Sequence, residues 1–507
     1  MIMHTIPLFF GRALRSLPAL AFLLLLTGGF NVLQSPGQTR DPLKVEARSV
    51  DNNRNQPVVL RYADTLELQT RSTGEFRITS GRVSFTQGNV VVLCDRAVQD
   101  IARNRVNLYG NVRFQQGSVT MMTPRALYDG NTRDLRGYDS VMLVDRQTVL
   151  LARNGVYNSG TRKARFVDDV MVENDSMLII TDVLEYERDS QNSYAVGNVL
   201  AVAKHNGSKL WGDTLTNVPL QHYTVARGNP LLCRVDTLRA GTDSTVTTLD
   251  SICIKANVLE AFREAGLDRY VATDSVELTR DELSARAGRL VFERQNELIR
   301  LYDAPIIWMD STQLTGDSIL VLIPDQQLRR IEADGAAFAA TRGEADFTER
   351  YDQLAGNHID ILVSADTLRG ILAGDEAFSI TFRYEDGYAE GAIRNAADSI
   401  RIWFEGGQAE RAVAIREVDA SFVPEFIVAP ALAEYKLLDF KWVDERPAIA
   451  PRAENSLATP YQRLPESFKA EHGIVSPVLQ FQEFPAADTS AFTPGDKQEK
   501  AAGDESK

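Results

Sequence analysis

The feature that most constrains this chain is a period. Between Cys94 and Trp211 one unit is written out four times, beginning at Cys94, Thr123, Ala152 and Thr181, each 29 residues after the last. The middle of each unit keeps the same step, as Gly110-Asn111-Val112, Asp139-Ser140-Val141, Asp168-Asp169-Val170 and Gly197-Asn198-Val199, with Gly81-Arg82-Val83 in register before them. A fixed period of this length marks an array whose units cannot bury their apolar faces alone and must stack on their neighbours.

Within a unit the alternation has period two. Val106, Leu108, Val112 and Phe114 take one face, and Asn107, Asn111, Arg113 and Gln115 the other. That is the signature of half-buried strand rather than helix. Turn signals fall about every half-unit, at Asp129-Gly130-Asn131, Asn158-Ser159-Gly160 and Asn206-Gly207. Each unit therefore reads as two antiparallel strands, and the chain as an all-β repeat array of hairpin rungs.

The valine after each mid-unit motif and the residue two further on form in-phase columns: Val83 and Phe85, Val112 and Phe114, Val141 and Leu143, Val170 and Val172, Val199 and Ala201. Ordinary sheet packing accounts for such columns as readily as a binding surface does. A second signature is Asp, then Ser or Thr, then an aliphatic. It stands at Asp64, Asp213, Asp236, Asp250, Asp274, Asp317, Asp366 and Asp398. Such side chains cap local backbone at a bend, which explains them without a metal.

The first array spans 59–233, and past Arg234 the step loosens into a degenerate second array over 234–424. There Ile319 to Ile359 is 40 residues and Ile359 to Ile400 is 41. Asn257 to Asp268 reads as a short helical or loop excursion. Residues 425–447 form a capping segment around Phe440-Lys441-Trp442, and 448–507, rich in Pro, Ala, Glu and Ser, read as a disordered tail. At the start, Arg12 and Arg15 precede the apolar run Leu17 to Leu26, which fits a signal peptide and leader over 1–38 and an exported chain.

Net charge is -14 without any block of basic residues, which argues against a nucleic-acid partner. The five histidines are scattered, and Cys94, Cys233 and Cys253 match no zinc spacing. Cys94 reads as a buried small apolar residue, and pairing of Cys233 with Cys253 stays open. With no nucleophile elbow or phosphate-binding glycine loop, no catalytic residue, cofactor or metal site is expected.

Phase-locked Gly-Asn-Val strands, repeated Asp-Ser/Thr-aliphatic starts and the ending Phe422-Val423-Pro424 to Phe440-Lys441-Trp442 with Arg446-Pro447 resemble the OstA-like family of periplasmic lipopolysaccharide-transport proteins, in its long Bacteroidetes-type form. The resemblance runs from about Arg61 to Pro447. It implies an LptA-type open, twisted β-jellyroll whose groove carries lipopolysaccharide acyl chains, with no enzymatic activity. The column residues named above then become the projected groove. It also implies periplasmic localisation near the outer membrane, a role in outer-membrane assembly, and edge-strand stacking on other lipopolysaccharide-transport proteins of the inner and outer membranes or on a second copy. The expected docking rungs are Arg61 to Leu68 and Ile400 to Phe404. Two other readings of the same pattern are a structural or adhesive repeat protein of the cell envelope and a polysaccharide-acting β-helix enzyme.

Overall fold

The computed structural model describes residues 57–473, apart from 73, 205–206, 240–246, 265–266, 281–282, 310, 325–327, 344–346, 365–366, 386, 406–407 and 453–458. The signal-peptide expectation, His205, Asn206 and Asp366 lie outside these residues. Strands from Val59–Tyr62 to Asp419–Pro424 join in one continuous sheet, with every pairing antiparallel. Antiparallel hairpins, not parallel coils, thus build the array, unlike a β-helix.

Each long strand is interrupted near its middle. In the strand Arg105–Gln116 the register with both neighbours slips at Gly110-Asn111, which take φ of 71° and 43°. The same left-handed pair recurs at Gly81-Arg82, Asp168-Asp169, Gly197-Asn198, Gly228-Asn229, Asp274-Ser275, Asp303-Ala304, Gly335-Ala336 and Asp375-Glu376. Two successive residues at positive φ suit Gly, Asn and Asp, and they bend a strand as a bulge does. The repeated Gly-Asn-Val is therefore a bend followed by the first residue of a new straight run.

At several starts the Asp of the second signature sits opposite a bend, whereas Asp274 is itself in one. Asp64, Asp213 and Asp317 pack against Gly81, Gly228 and Gly335, where a Cβ would lie 2.2–2.4 Å from a carboxylate oxygen. Asp95 and Asp182 do the same at Gly110 and Gly197, and Asn111 and Asn198 each donate to that carboxylate at 2.8 Å. Asp236 and Asp250 stand elsewhere in the register: they are paired positions of the strands Leu231–Arg239 and Thr247–Lys255.

Along this line of bends the sheet folds over, so that each strand contributes one half to each of two facing arms. Phe114, after its bend, meets Tyr128 and Tyr157 of the other arm at ring-centroid distances of 6.3 and 5.6 Å. One apolar core runs between the arms from Val58 to Ala409 and passes residue 234 unbroken.

The structure departs from the sequence expectations at several points. Residues 258–264 form a strand paired with Leu267–Arg280, not a helical excursion. Ile400, Ile402 and Phe404 are buried in the strand Tyr388–Glu405, which pairs on both sides. The terminal strands are instead Gln408–Ile415 and Asp419–Pro424, because the chain adds one more hairpin beyond the last recognisable Asp-Ser-Ile start. Cys233 and Cys253 are direct cross-strand partners joined by a disulfide, and Cys94 is buried in the core.

After α1 (Glu425–Val428) the chain turns back and runs as a strap over the outer face of one arm. Tyr435 and Leu437 bond Gln353; Lys441 and Val443 bond Gln313; the Val443 carbonyl accepts from Trp308 Nε1 at 3.1 Å; and the Ile449 carbonyl accepts from Thr279. Residues 459–473, within the stretch whose composition reads as tail, form α2 (Pro460–Arg463) and α3 (Glu466–His472). These place Leu464 and Phe468 on Val144 and Val149. Two apolar side chains on an amphipathic turn find an apolar patch there, which composition alone does not reveal.

Candidate functional site

The interior between the arms is where the repeat concentrates the largest continuous apolar cluster among the described residues. Val83, Phe85, Val112, Phe114, Val141, Leu143, Val170, Val172, Val199 and Ala201 all point into it and are 0–6% exposed. The structure therefore brings the ten column residues together in one seam. It packs them against the opposite arm, where Ala97, Leu108, Ala126, Leu135, Phe166 and Leu184 belong to the same core. Each column valine is the first residue after a bend, which fixes its side chain inward whatever the local propensity.

At the mouth, where the free ends of the arms meet, the packing turns polar. Gln87, at the end of one strand, donates to the Gly130 carbonyl at 3.0 Å and accepts from the Tyr128 hydroxyl. One period on, Gln116 donates to the Ser159 carbonyl at 3.2 Å and accepts from Tyr157 at 2.9 Å. One period further the places are held by Asp145, Tyr186 and Arg188. Arg188 lies 3.7 Å from the Asp145 carboxylate and donates to Ser118 at 2.9 Å. Burial raises the hydroxyl pKa of all three tyrosines, so they stay protonated.

Sequence reading missed this row. Its signal was present: 87, 116 and 145, like 128, 157 and 186, keep the 29-residue step. The partners, however, are about 41 residues apart and meet only because the sheet folds over.

The outer face of the strapped arm was missed too. Met122, Met142, Val144, Val149, Met171, Leu178, Val202 and Trp211 lie there, buried or half-buried. Runs such as Val141-Met142-Leu143-Val144 and Val149-Leu150-Leu151-Ala152 break the alternation and mark strands covered on both faces. Beneath the strap a buried ion pair joins Lys204 and Glu173 at 2.8 Å. The second Glu173 oxygen accepts from the Tyr461 N–H at the start of α2.

Among the described residues no group of three or more His, Cys, Asp or Glu is placed to hold a metal, and no helix is long and apolar enough to cross a membrane. The first strands, Val59–Tyr62 and Thr65–Arg71, pair only with Gly74–Gln87, and Leu66 and Leu68 are 56% and 70% exposed.

No curated protein matches this chain. Among solved structures, similarity is found to LptH of Pseudomonas aeruginosa, described as the LptA-homologous periplasmic component of the lipopolysaccharide transport device. Identity is 14% over 28% of this chain and 95% of that one, with a TM-score of 0.22. A family model described as OstA-like protein matches residues 55–154, which hold the first bends, the first polar rung of the mouth, Gln87 with Tyr128 and Gly130, and the column residues Val83 to Leu143. That match is to the family that the repeat resembles, and it covers residues 55–154 alone.

Proposed function

We propose that this protein is a non-enzymatic periplasmic lipid carrier of the lipopolysaccharide-transport type, acting in outer-membrane assembly by holding acyl chains between its two arms. The observation that carries this reading is the unbroken apolar seam from Val58 to Ala409. A carrier must shield hydrocarbon along its whole length, and each methylene kept from water is worth about 0.8 kcal/mol. The resemblance of the repeat to the OstA-like family, whose model matches residues 55–154, supports lipopolysaccharide as the class of lipid. Partner proteins of the inner and outer membranes, or a second copy, would pair with the exposed N-terminal strand around Leu66 and with the terminal strand Gln408–Ile415.

The test is photo-crosslinking to lipopolysaccharide from aliphatic diazirine residues at Val112, Val141 and Val170. Adducts well above those of an unrelated β-protein are expected, and their absence would sink the carrier reading. The full burial of the column residues favours a second reading, a structural or adhesive envelope protein whose seam is only core. A carrier gains thermal stability with lipid concentration by mass action, whereas a structural array does not respond.

A further inference from the structure

Over its first half the described residues of the seam are shut from solvent. Phe85, Phe114, Val141 and Val170 are 0–1% exposed, so hydrocarbon reaches the interior only if the arms separate. What holds the free ends of the arms together there is the polar row at the mouth: Gln87 with Tyr128 and the Gly130 carbonyl, Gln116 with Tyr157 and the Ser159 carbonyl, and Arg188 with Asp145 and Ser118.

These contacts recur at the period of the array and link opposite arms. Each is a side-chain contact, so it can break without disturbing the backbone ladder within either arm. Core packing at the bends is unlike this: the Gly110 backbone lies against Asp95, and separating them would unmake the fold. The bends therefore act as the fixed line and the mouth as the separable one.

Resting on the carrier reading above, we propose that the Gln87, Gln116 and Arg188 rungs are latches, closed in the empty protein, whose opening admits the acyl chains of an amphipathic lipid sideways into the seam. Two features suit them to this. A neutral Gln–Tyr contact contributes only modestly to stability when made, so it opens at little cost. Once open, it presents amide and hydroxyl groups at the rim, where a lipid's polar head would sit.

The experiment uses the full mature chain and lipopolysaccharide with diazirine-bearing acyl chains, following adduct formation over time. Gln116→Leu with Tyr157→Phe removes both side chains of one latch and leaves similar shapes, and the one group left without its donor, the Ser159 carbonyl, makes the cost to folding modest. This variant should load about tenfold faster while its melting temperature stays near that of the parent. Conversely, Gln87→Cys with Tyr128→Cys, tethered by a short bis-maleimide, should load at least about tenfold more slowly than the same variant with each cysteine capped singly. Cys94 does not interfere, since it is buried and its thiol is pushed up to about 11 by that burial.

Equal loading by tethered and capped protein would overturn the latch. Faster loading that merely tracks a lower melting temperature would overturn it as well, because general loosening would then be the cause. If the parent protein itself takes up no lipid, the carrier reading fails and the latch falls with it, an outcome distinct from either of the others.

Discussion

Replacing Gly110 by alanine tests the bend. Two costs can be read from the structure. First, Gly110 has φ of 71°, and an L-residue forced into that region gives up ~1–2 kcal/mol. Second, the new Cβ would lie 2.4 Å from Asp95 Oδ2 and 3.0 Å from Asp95 Cβ. The carboxylate must swing away and forfeit the Asn111 Nδ2 bond at 2.8 Å, a further ~0.5–1.5 kcal/mol.

Gly207→Ala is the control. That glycine has φ of 68° but nothing within 4 Å of a Cβ, so only the first cost applies. A stacked array need not unfold in one step, so a single melting temperature would dilute the effect. Native-state hydrogen exchange locates it. Local loss of about 2–3 kcal/mol should speed exchange in Val90–Asp100 and Arg105–Gln116 some 30- to 150-fold, at about 1.4 kcal/mol per tenfold. Protection in the distant strand Thr367–Glu385 should not change. An effect at Gly110 no larger than at Gly207 would refute the view that Asp95 seats against the bend.

Leu66→Pro should weaken self-association or partner binding in size-exclusion or pull-down assays while barely lowering the melting temperature, since its strand pairs on one side only. A large stability loss with unchanged association would mean that this rung is not a docking surface. Glu173→Gln leaves Lys204 buried without its counter-charge and the α2 N–H of Tyr461 without its carboxylate, so it should cost about 3–5 kcal/mol and release residues 459–473 to limited proteolysis. Burial pushes the carboxyl of Asp352 up to about 7, offset in part by the Phe382 N–H that it accepts at 2.9 Å. A folded-state value above the ordinary 3.8 means that the protonated acid favours folding. This contribution is full below about pH 4 and is lost as pH rises through 7. Asp352→Asn should flatten the fall in a denaturation series from pH 4 to 8, and an unchanged profile would show that the carboxyl is ionised throughout.

The period, the strand alternation and the inward columns were legible in the sequence because they are local and repeated. Val112 and Phe114 face the core for the same reason that Val141 and Leu143 do. Gly-Asn-Val was legible as a landmark but not as a bend, since a glycine within an alternating run also suits a plain strand position facing a close neighbour. The facing Asp was legible as a capping type, and Asp95 and Asp64 act in that spirit, whereas the identical triplet at Asp236 lies elsewhere. The mouth and the strap were not legible. Tyr157 meets Gln116 and Phe468 meets Val144 only after the array has folded, and nothing periodic ties the strap's sequence to the face it covers.

The strap also sets an order of events in the making of this protein. Rungs pair with their immediate neighbours and can close one after another as the chain emerges. The strap's last contacts, by contrast, join residues 288 and 358 positions apart, Glu173 with Tyr461 and Arg113 with Glu471. Until the strap is delivered, Trp308 and Trp211 wait for Val443 and Ile449, and Val144 and Val149 for Leu464 and Phe468, on a nearly finished sheet. A chain stalled or clipped before about residue 440 would thus be a particle with complete rungs and a long bare apolar flank, a natural substrate for chaperones and a ready seed for aggregation.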